Sequence, residues 1–293
     1  MFRSVSFYSF KGGAGRSTTC LNTIPYIFEI GEASSEHPIV LLDVDLDSAG
    51  MTYLLEQENF FHENYDIKEF LKGDNDLSVP VDKGIQNHPF YKKLVPVGNK
   101  FGIDDNNAVM FLGINDRMKL GNNDFSGEKD ELFNKLRKFC KNNGISALVF
   151  DTPTGDQITA KFSLKASNCV VCCMKNTMQF RKGTFNYLKR IAAEVDIDSL
   201  VIFPTVVPKD LELDGVSQME DSINSIKQSI QDLSFEDINT DFVSKDMFGI
   251  NEIERFKWKE DILYKLEKKG ELRDDEKEGI NRYKKLAEIV IGE

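Results

Sequence analysis

The sequence lacks long apolar runs and any excess of positive charge. It has no stretch of about 18 consecutive apolar residues, so it predicts no transmembrane helix. Acidic residues outnumber basic ones, 48 against 37, and the formal net charge is −11. That charge does not support direct DNA binding by the free chain, although it is compatible with a local basic patch. The N-terminus runs straight into a β-prone segment, which predicts no signal peptide.

Histidine and cysteine are also scarce. His37, His62 and His88 show no spacing typical of a metal site. Among five cysteines, Cys169 and Cys172 have C-x-x-C spacing, but they lie in an apolar run and no second ligand cluster accompanies them. We interpret them as buried strand cysteines. These features predict a reduced, soluble, cytoplasmic protein.

The chain has the composition of an ordinary globular protein, with 293 residues of which 41% are hydrophobic and 29% charged. Short apolar runs alternate with amphipathic segments, and we find no internal repeat or low-complexity linker. This pattern predicts an α/β fold with a doubly wound, mostly parallel sheet flanked by helices. We expect a single domain over residues 1–293. Residues 208–245, where the pattern weakens, are expected to form a peripheral helical insertion.

Individual elements follow from the apolar periodicity. The predicted strands are Arg3–Ser9, Ile39–Asp43, 93–98, 145–150, 169–174 and 200–207, with a weaker apolar stretch at 107–114. The predicted helices are 17–30, 66–73, 128–143, 185–195, 218–233 and 279–290. The mixed charges of residues 254–285 predict a solvated helical face.

A glycine-rich loop follows the first strand. Residues 11–18 (KGGAGRST), hereafter the glycine loop, hold three glycines within four residues and lead into a helix. Glycines let successive backbone N–H groups point at phosphate oxygens, and a helix N-terminus adds partial positive charge. Strand, glycine loop and helix together predict a phosphate-binding site.

Carboxylates follow two of the apolar strands. Asp43, Asp45 and Asp47 alternate where the second strand ends, and Asp151 follows the apolar run 145–150. The carboxyl ends of parallel strands face the ligand crevice of such a sheet, and uncompensated carboxylates there imply a cation. The sequence therefore predicts a Mg²⁺-nucleotide site at this edge.

Residues 11–17 resemble the deviant Walker A loop, K-G-G-x-G-K-[ST], of the MinD/ParA family of dimerising ATPases. Arg16 stands where the family has a second lysine, and the preceding FYSF makes the stretch similar to a sub-branch with F-Y-S-x-K-G-G-x-G-R-[ST]. The acidic stretches resemble the family's Walker A′ D-x-D and Walker B motifs. The resemblance implies a P-loop NTPase that binds ATP and Mg²⁺, hydrolyses ATP slowly, and forms a homodimer through ATP that acts on a protein partner.

The same resemblance implies roles for individual residues. Lys11 would reach the phosphates of the other protomer, and it forms the catalytic set with Asp45 and Asp43. Two D-x-D registers stay open, Asp43 with Asp45 or Asp45 with Asp47. The magnesium set is Ser17, Asp45 and Asp151. The nucleotide-binding set is Gly12, Gly13, Ala14, Gly15, Arg16, Ser17, Thr18, Gly155 and Pro208.

Other interpretations remain open at this point. A guanidinium is larger than an ammonium and forked, so Arg16 leaves the hydrolysis rate undecided, and an ATP-binding pseudoenzyme or dimerisation module without turnover is the main alternative. An amidotransferase-like synthetase or a reductase-type relative would need an extra domain or a cysteine cluster, and the sequence has neither. The family's adenine-reading Asn is missing after the strand 200–207, so base specificity is undecided. The biological process, whether partition, positioning, signalling or defence, is also undecided.

Overall fold

Within the described residues, eight strands form one sheet in the order β3-β4-β2-β5-β1-β6-β7-β8. The computed structural model describes residues 2–55, 65–72, 77–81, 84–115, 129–195, 197–208 and 215–292. Every neighbouring pair of strands is parallel except β3 and β4, so the predicted mostly parallel sheet is confirmed. The strands are β1 (Arg3–Ser9), β2 (Ile39–Asp43), β3 (Val95–Pro96), β4 (Val109–Leu112), β5 (Ala147–Thr154), β6 (Cys169–Lys175), β7 (Ser199–Thr205) and β8 (Ile238–Asn239).

Helices cover both faces of the sheet, as the doubly wound prediction requires. One face packs against α1, α9 and α10, and the other packs against α3 to α8. In the part of the chain that the structure describes, no helix is long and apolar enough to cross a membrane. The helices are α1 (Arg16–Ile30), α2 (Gly50–Leu54), α3 (Ile67–Lys72), α4 (Pro89–Lys92), α5 (Lys129–Asn142), α6 (Ile158–Lys165), α7 (Met178–Ile191), α8 (Gly215–Ile230), α9 (Leu263–Lys269) and α10 (Asp274–Ile291).

The central strands are apolar at consecutive positions because both of their faces are buried. Successive side chains of a strand point to opposite faces, so Cys169 and Cys173 lie in the core beside α1 and α10, whereas Cys172 lies in the core beside α7. Cys169 and Cys172 therefore do not face each other. All five cysteines are buried and free, which confirms their interpretation as core residues.

Several boundaries differ from the prediction. The strand predicted at 93–98 is the two-residue antiparallel β3, because the chain turns into a 3₁₀ helix at Gly98–Phe101. The strand predicted at 145–150 continues to Thr154, which pairs with Ser9. The helix predicted at 185–195 is α7, which begins at Met178. Gly73, the expected end of the helix at 66–73, lies outside the described residues.

The second half of the chain adds polar elements to the sheet. In α8, Ile223 and Ile226 pack into the core beside β6 and β7, and β8 extends the sheet beside β7. The solvated helical face predicted for residues 254–285 is wrong at Glu276, which is fully buried. Its carboxylate accepts hydrogen bonds from Arg255 and Arg273, which compensate a charge that would otherwise be costly to bury.

Candidate functional site

The glycine loop leaves the carboxyl end of β1 and turns directly into α1. Gly13 and Gly15 have φ values of +75° and +65°, a left-handed conformation that glycine adopts without strain. Gly15 is the N-cap of α1, a helix of 15 residues. The first N–H groups of a helix have no partner within the helix, so this end can bind an anion. A Cβ built on Gly12 meets nothing within 4 Å, which leaves one side of the loop open.

A cavity of about 400 Å³ lies against the glycine loop. Gly12 to Thr18 form one wall, and the other wall carries Asp45, Asp47, Ser48, Thr154 and Gln157. Asp47 is exposed and accepts a hydrogen bond of 2.9 Å from Gln157 Nε2. This cavity, hereafter the phosphate-side cavity, combines backbone donors of the loop with carboxylates, and it is the place that the sequence predicts for phosphate and metal.

Arg16 contacts every residue of the predicted metal site. Its guanidinium lies between two carboxylates, with Nη2 2.9 Å from Asp45 Oδ2 and Nε 2.8 Å from Asp151 Oδ1. Arg16 Nη2 also donates to Ser17 Oγ at 3.2 Å. The three expected magnesium ligands, Ser17, Asp45 and Asp151, therefore all contact one buried cation from the chain itself.

Arg16, Asp45 and Asp151, hereafter the ion triad, are almost completely buried. Arg16 is 6% exposed and Asp151 is 0% exposed. Burial lowers the pKa of Arg16, but the two carboxylates outweigh it and hold the pKa above its usual value. Burial raises the pKa of Asp151 although Arg16 opposes that shift. Arg16 Nη1 and Asp151 Oδ2 are buried without a hydrogen-bond partner. Since buried polar atoms are normally paired, these two atoms leave the hydrogen bonding of the triad incomplete.

The three aspartates after β2 occupy three environments, because the strand ends at Asp43 and the alternation ends with it. Asp43 is fully buried, and its Oδ2 accepts 2.8 Å hydrogen bonds from both the N–H and the hydroxyl of Thr52. Burial and the charge of Asp151 raise the pKa of Asp43 to about 7. Asp45 contacts Arg16 and Ser48. Of the two open registers, Asp45 with Asp47 is the one whose members both line the phosphate-side cavity.

Lys11 and Gly155 have partners within the chain. Lys11 Nζ donates to Gln179 Oε1 of α7 at 3.1 Å, and Lys11 is not part of the cavity wall. The Gly155 N–H donates to the Ser9 carbonyl at 3.2 Å. A role for the Gly155 N–H in nucleotide binding would therefore require it to exchange that partner.

A second cavity of about 340 Å³ lies on the other side of the glycine loop. The end of β7 reaches it, since Thr205 Oγ1 donates to the Ala14 carbonyl at 2.6 Å. Val206 follows with φ +53°, which is strained for a β-branched residue. The opposite wall comes from residues 250–260 and Tyr283. We call this the base-side cavity, after the nucleobase of a nucleotide that would be bound at the glycine loop.

Sequence patterns gave no signal for the wall at residues 250–260. Neither a motif nor an apolar run marks Asn251, Glu252, Phe256, Lys257 or Glu260, and only the fold brings them to the glycine loop. Pro208, the sequence-predicted contact for this region, is exposed and does not line the cavity.

Structural comparison identifies the fold. The chain is similar to MinD in the MinC:MinD cell division protein complex of Aquifex aeolicus, with a TM-score of 0.62 and 14% identity over 99% of this chain and 96% of that chain. It is similar to apo McdA of Cyanothece, with a TM-score of 0.60 and 13% identity over 97% and 99% of the two chains. A third neighbour is MinD of Pyrococcus horikoshii OT3 complexed with Mg-ADP, with a TM-score of 0.56 and 16% identity over 99% and 96%.

Sequence comparison alone does not reach this result. No family model matches the sequence, and a comparison with curated proteins finds no match. The structural likeness extends over nearly the whole chain even though the identities are below one fifth. The chain has the fold of MinD, McdA and ParA family proteins.

Proposed function

We propose that the chain is a Mg²⁺-dependent ATPase that hydrolyses ATP slowly and uses ATP to switch between separate protomers and a sandwich homodimer. The observation that carries the proposal is that Asp45 lines the same cavity as the glycine loop, and that Arg16 of this loop contacts both Asp45 and Asp151. Two structural neighbours support the choice of ligand, because one is complexed with Mg-ADP and another is an ATP complex of a McdA variant.

The residues present fit both ligands. The open side of Gly12 and the left-handed Gly13 and Gly15 suit a phosphate cradle, and the unpaired Asp151 Oδ2 suits a metal-bound water. The loop residues Gly12 to Thr18 would hold the phosphates, while Ser17, Asp45 and Asp151 would hold Mg²⁺. Bound Mg²⁺ would neutralise phosphate charge. Among the described residues no group of three or more His, Cys, Asp or Glu is arranged to hold a metal by itself, so phosphate oxygens would complete the site.

Arg16 gives a physical reason why loading of Mg-ATP, and with it turnover, would be slow. In this structure its guanidinium is paired with both carboxylates that Mg²⁺ would need. Binding of Mg-ATP would therefore require Arg16 to turn from Asp45 and Asp151 towards the phosphates. Since a buried ion pair is costly to break, this rearrangement would oppose nucleotide loading.

The surface around the site favours a second copy of the chain as the dimer partner. Tyr53, Ile158 and Met178 are among the exposed large hydrophobic residues, at 47%, 41% and 63% exposure. They follow β2, β5 and β6, so they lie at the same sheet edge as the glycine loop. Lys11 lies at this edge too and is not directed into its own phosphate-side cavity, which suits a role at the phosphates of the other protomer.

The alternative without turnover is favoured by the same ion triad. If Arg16 stays between Asp45 and Asp151, the chain binds ATP as a dimerisation ligand and does not hydrolyse it. The synthetase or reductase-type alternative finds no support, because the cysteines are buried core residues of α1, α5 and β6, and no group of three or more His, Cys, Asp or Glu among the described residues is arranged to hold a metal.

The output of the switch would be binding to a protein partner in the cytoplasm. The MinC:MinD complex gives an example of such a partner for one neighbour. With a net charge of −11, a protein partner is a better proposal than direct DNA binding. Partition, positioning, signalling and defence all suit such a switch, and the identity of genes beside this one would separate them.

One experiment separates the ATPase from its alternatives. ATP turnover and solution mass are measured together for the wild type, Asp45→Ala and Lys11→Ala. We expect the wild type to hydrolyse ATP, Asp45→Ala to dimerise with ATP without turnover, and Lys11→Ala to remain monomeric. ATP-dependent dimers of the wild type without turnover would favour the binding module. Monomers under all conditions would contradict both proposals.

A further inference from the structure

The two cavities beside the glycine loop meet at a small set of residues. Gly13, Gly15 and Thr18 of the loop line both cavities, and so does Glu260. Glu260 is the shared wall residue that comes from outside the loop. Thr18 Oγ1 donates to Glu260 Oε1 at 3.5 Å, so the carboxylate stands at the opening between the two spaces.

A nucleotide that spans both cavities must place its sugar at this junction, because the ribose joins the 5′-phosphate to the base. Ribose hydroxyls are hydrogen-bond donors, and a carboxylate is a strong acceptor for them. We infer that Glu260 accepts hydrogen bonds from the ribose hydroxyls and makes the site selective for ribonucleotides over deoxyribonucleotides. The inference rests on the proposed ATP site and adds a specificity-determining residue to it.

The segment that carries Glu260 is held in place by buried charge. Arg255 bridges from this segment to Glu276 of α10, with Nε 2.6 Å from Oε1, and it also reaches Asp261 Oδ2 at 3.2 Å. Glu276 is fully buried, so this anchor fixes both ends of the short stretch 255–261. Glu260 is thus presented at the junction by a fixed backbone.

Electrostatics argues for a hydrogen-bonding role. A carboxylate at the opening of a phosphate site repels the ligand unless it gains a compensating contact. Ribose hydroxyls provide that contact, and a deoxyribose provides less of it. One hydrogen bond to a charged group contributes enough binding free energy that its loss should weaken binding by about tenfold.

The test measures affinity for ATP, 2′-deoxy-ATP, 3′-deoxy-ATP and 2′,3′-dideoxy-ATP by calorimetry. Trp258 gives a second readout, because it is the single tryptophan, is 85% exposed and lies two residues from Glu260. Labels attached to the ribose are avoided. The variants are Glu260→Ala and, as a control, Glu271→Ala, which removes an exposed carboxylate that lines neither cavity.

We expect the wild type and Glu271→Ala to prefer ATP over dideoxy-ATP by more than about tenfold, and Glu260→Ala to bind both equally. If Glu260→Ala retains the preference, or if the wild type has none while binding ATP, the inference is overturned and the ATP site stands. If the wild type binds none of these nucleotides, both the ATP site and the inference are overturned. Unfolding curves of each variant show whether the comparison is made on folded protein.

Discussion

Arg16 Nε lies 2.8 Å from Asp151 Oδ1, which joins the first residue of α1 to a carboxylate of β5 inside the core. The sequence places Arg16 in a phosphate-binding loop and Asp151 in a metal site. In the structure each of the two is the main partner of the other. One cation of the chain itself therefore offsets part of the negative charge of Asp45 and Asp151 in the candidate site.

Removing the cation should leave two buried carboxylates without compensation. We expect Arg16→Met to lower the free energy of unfolding by about 3–5 kcal/mol, the usual cost of breaking a buried ion pair from one side. Urea unfolding measures the change. In Asp151→Asn protein the same substitution should have a smaller effect, and an equal effect would show that Arg16 acts through packing alone.

The proposed Mg²⁺ would compete with Arg16 for the same carboxylates. We expect the wild type to bind no Mn²⁺ in the absence of nucleotide, and Arg16→Met to bind it through Asp45 and Asp151. Electron paramagnetic resonance of free Mn²⁺ measures this directly. Arg16→Met combined with Asp151→Asn is the control and should again bind none. Mn²⁺ binding by the nucleotide-free wild type would contradict the competition.

The pH dependence of stability should reveal Asp43. Its pKa is raised from 3.8 to about 7, so between these values the folded chain holds a proton that the unfolded chain has released. The contribution of the Asp43 proton to the free energy of unfolding is complete below pH 3.8, and it is lost as the pH rises to about 7. We expect Asp43→Asn to flatten the decline of the urea midpoint between about pH 5 and pH 7. The exposed Asp47→Asn serves as control, and equal slopes in both variants would refute the assignment.

Much of the site could be predicted from sequence because each of its motifs is a short contiguous stretch of the chain. Glycine spacing fixes the loop conformation, and an aspartate after an apolar strand marks the ligand edge of a parallel sheet. The base-side wall could not be predicted, since Phe256 and Glu260 reach the loop only through tertiary packing. The alternation rule also failed after Asp43, because it holds only while the strand lasts.

The burial of Glu276 could not be predicted from sequence either. Burial raises the pKa of Glu276, but the hydrogen bonds from Arg255 and Arg273 outweigh it and hold the pKa below its usual value. A sequence of mixed charges does not reveal which of its carboxylates is buried in the folded chain. We expect Glu276→Ala to lower the free energy of unfolding by about 3 kcal/mol or more.

The control for Glu276 is Glu278→Ala on the same helix. Glu278 is partly exposed and pairs with Arg282 at 3.3 Å, so its loss should change stability by no more than about 1 kcal/mol. Both variants are compared by urea unfolding, and equal losses would contradict a special role for the buried carboxylate.

Binding of Mg-ATP to the wild type and to Gly12→Val tests the nucleotide site most directly. A Cβ built on Gly12 meets no protein atom within 4 Å and Gly12 lines the phosphate-side cavity, so a valine at this position should block the ligand without disturbing the fold. Calorimetry should show one ATP bound per wild-type chain and none per Gly12→Val chain, with equal melting temperatures. Equal ATP binding by both proteins, or none by the wild type, would contradict a nucleotide site at the glycine loop.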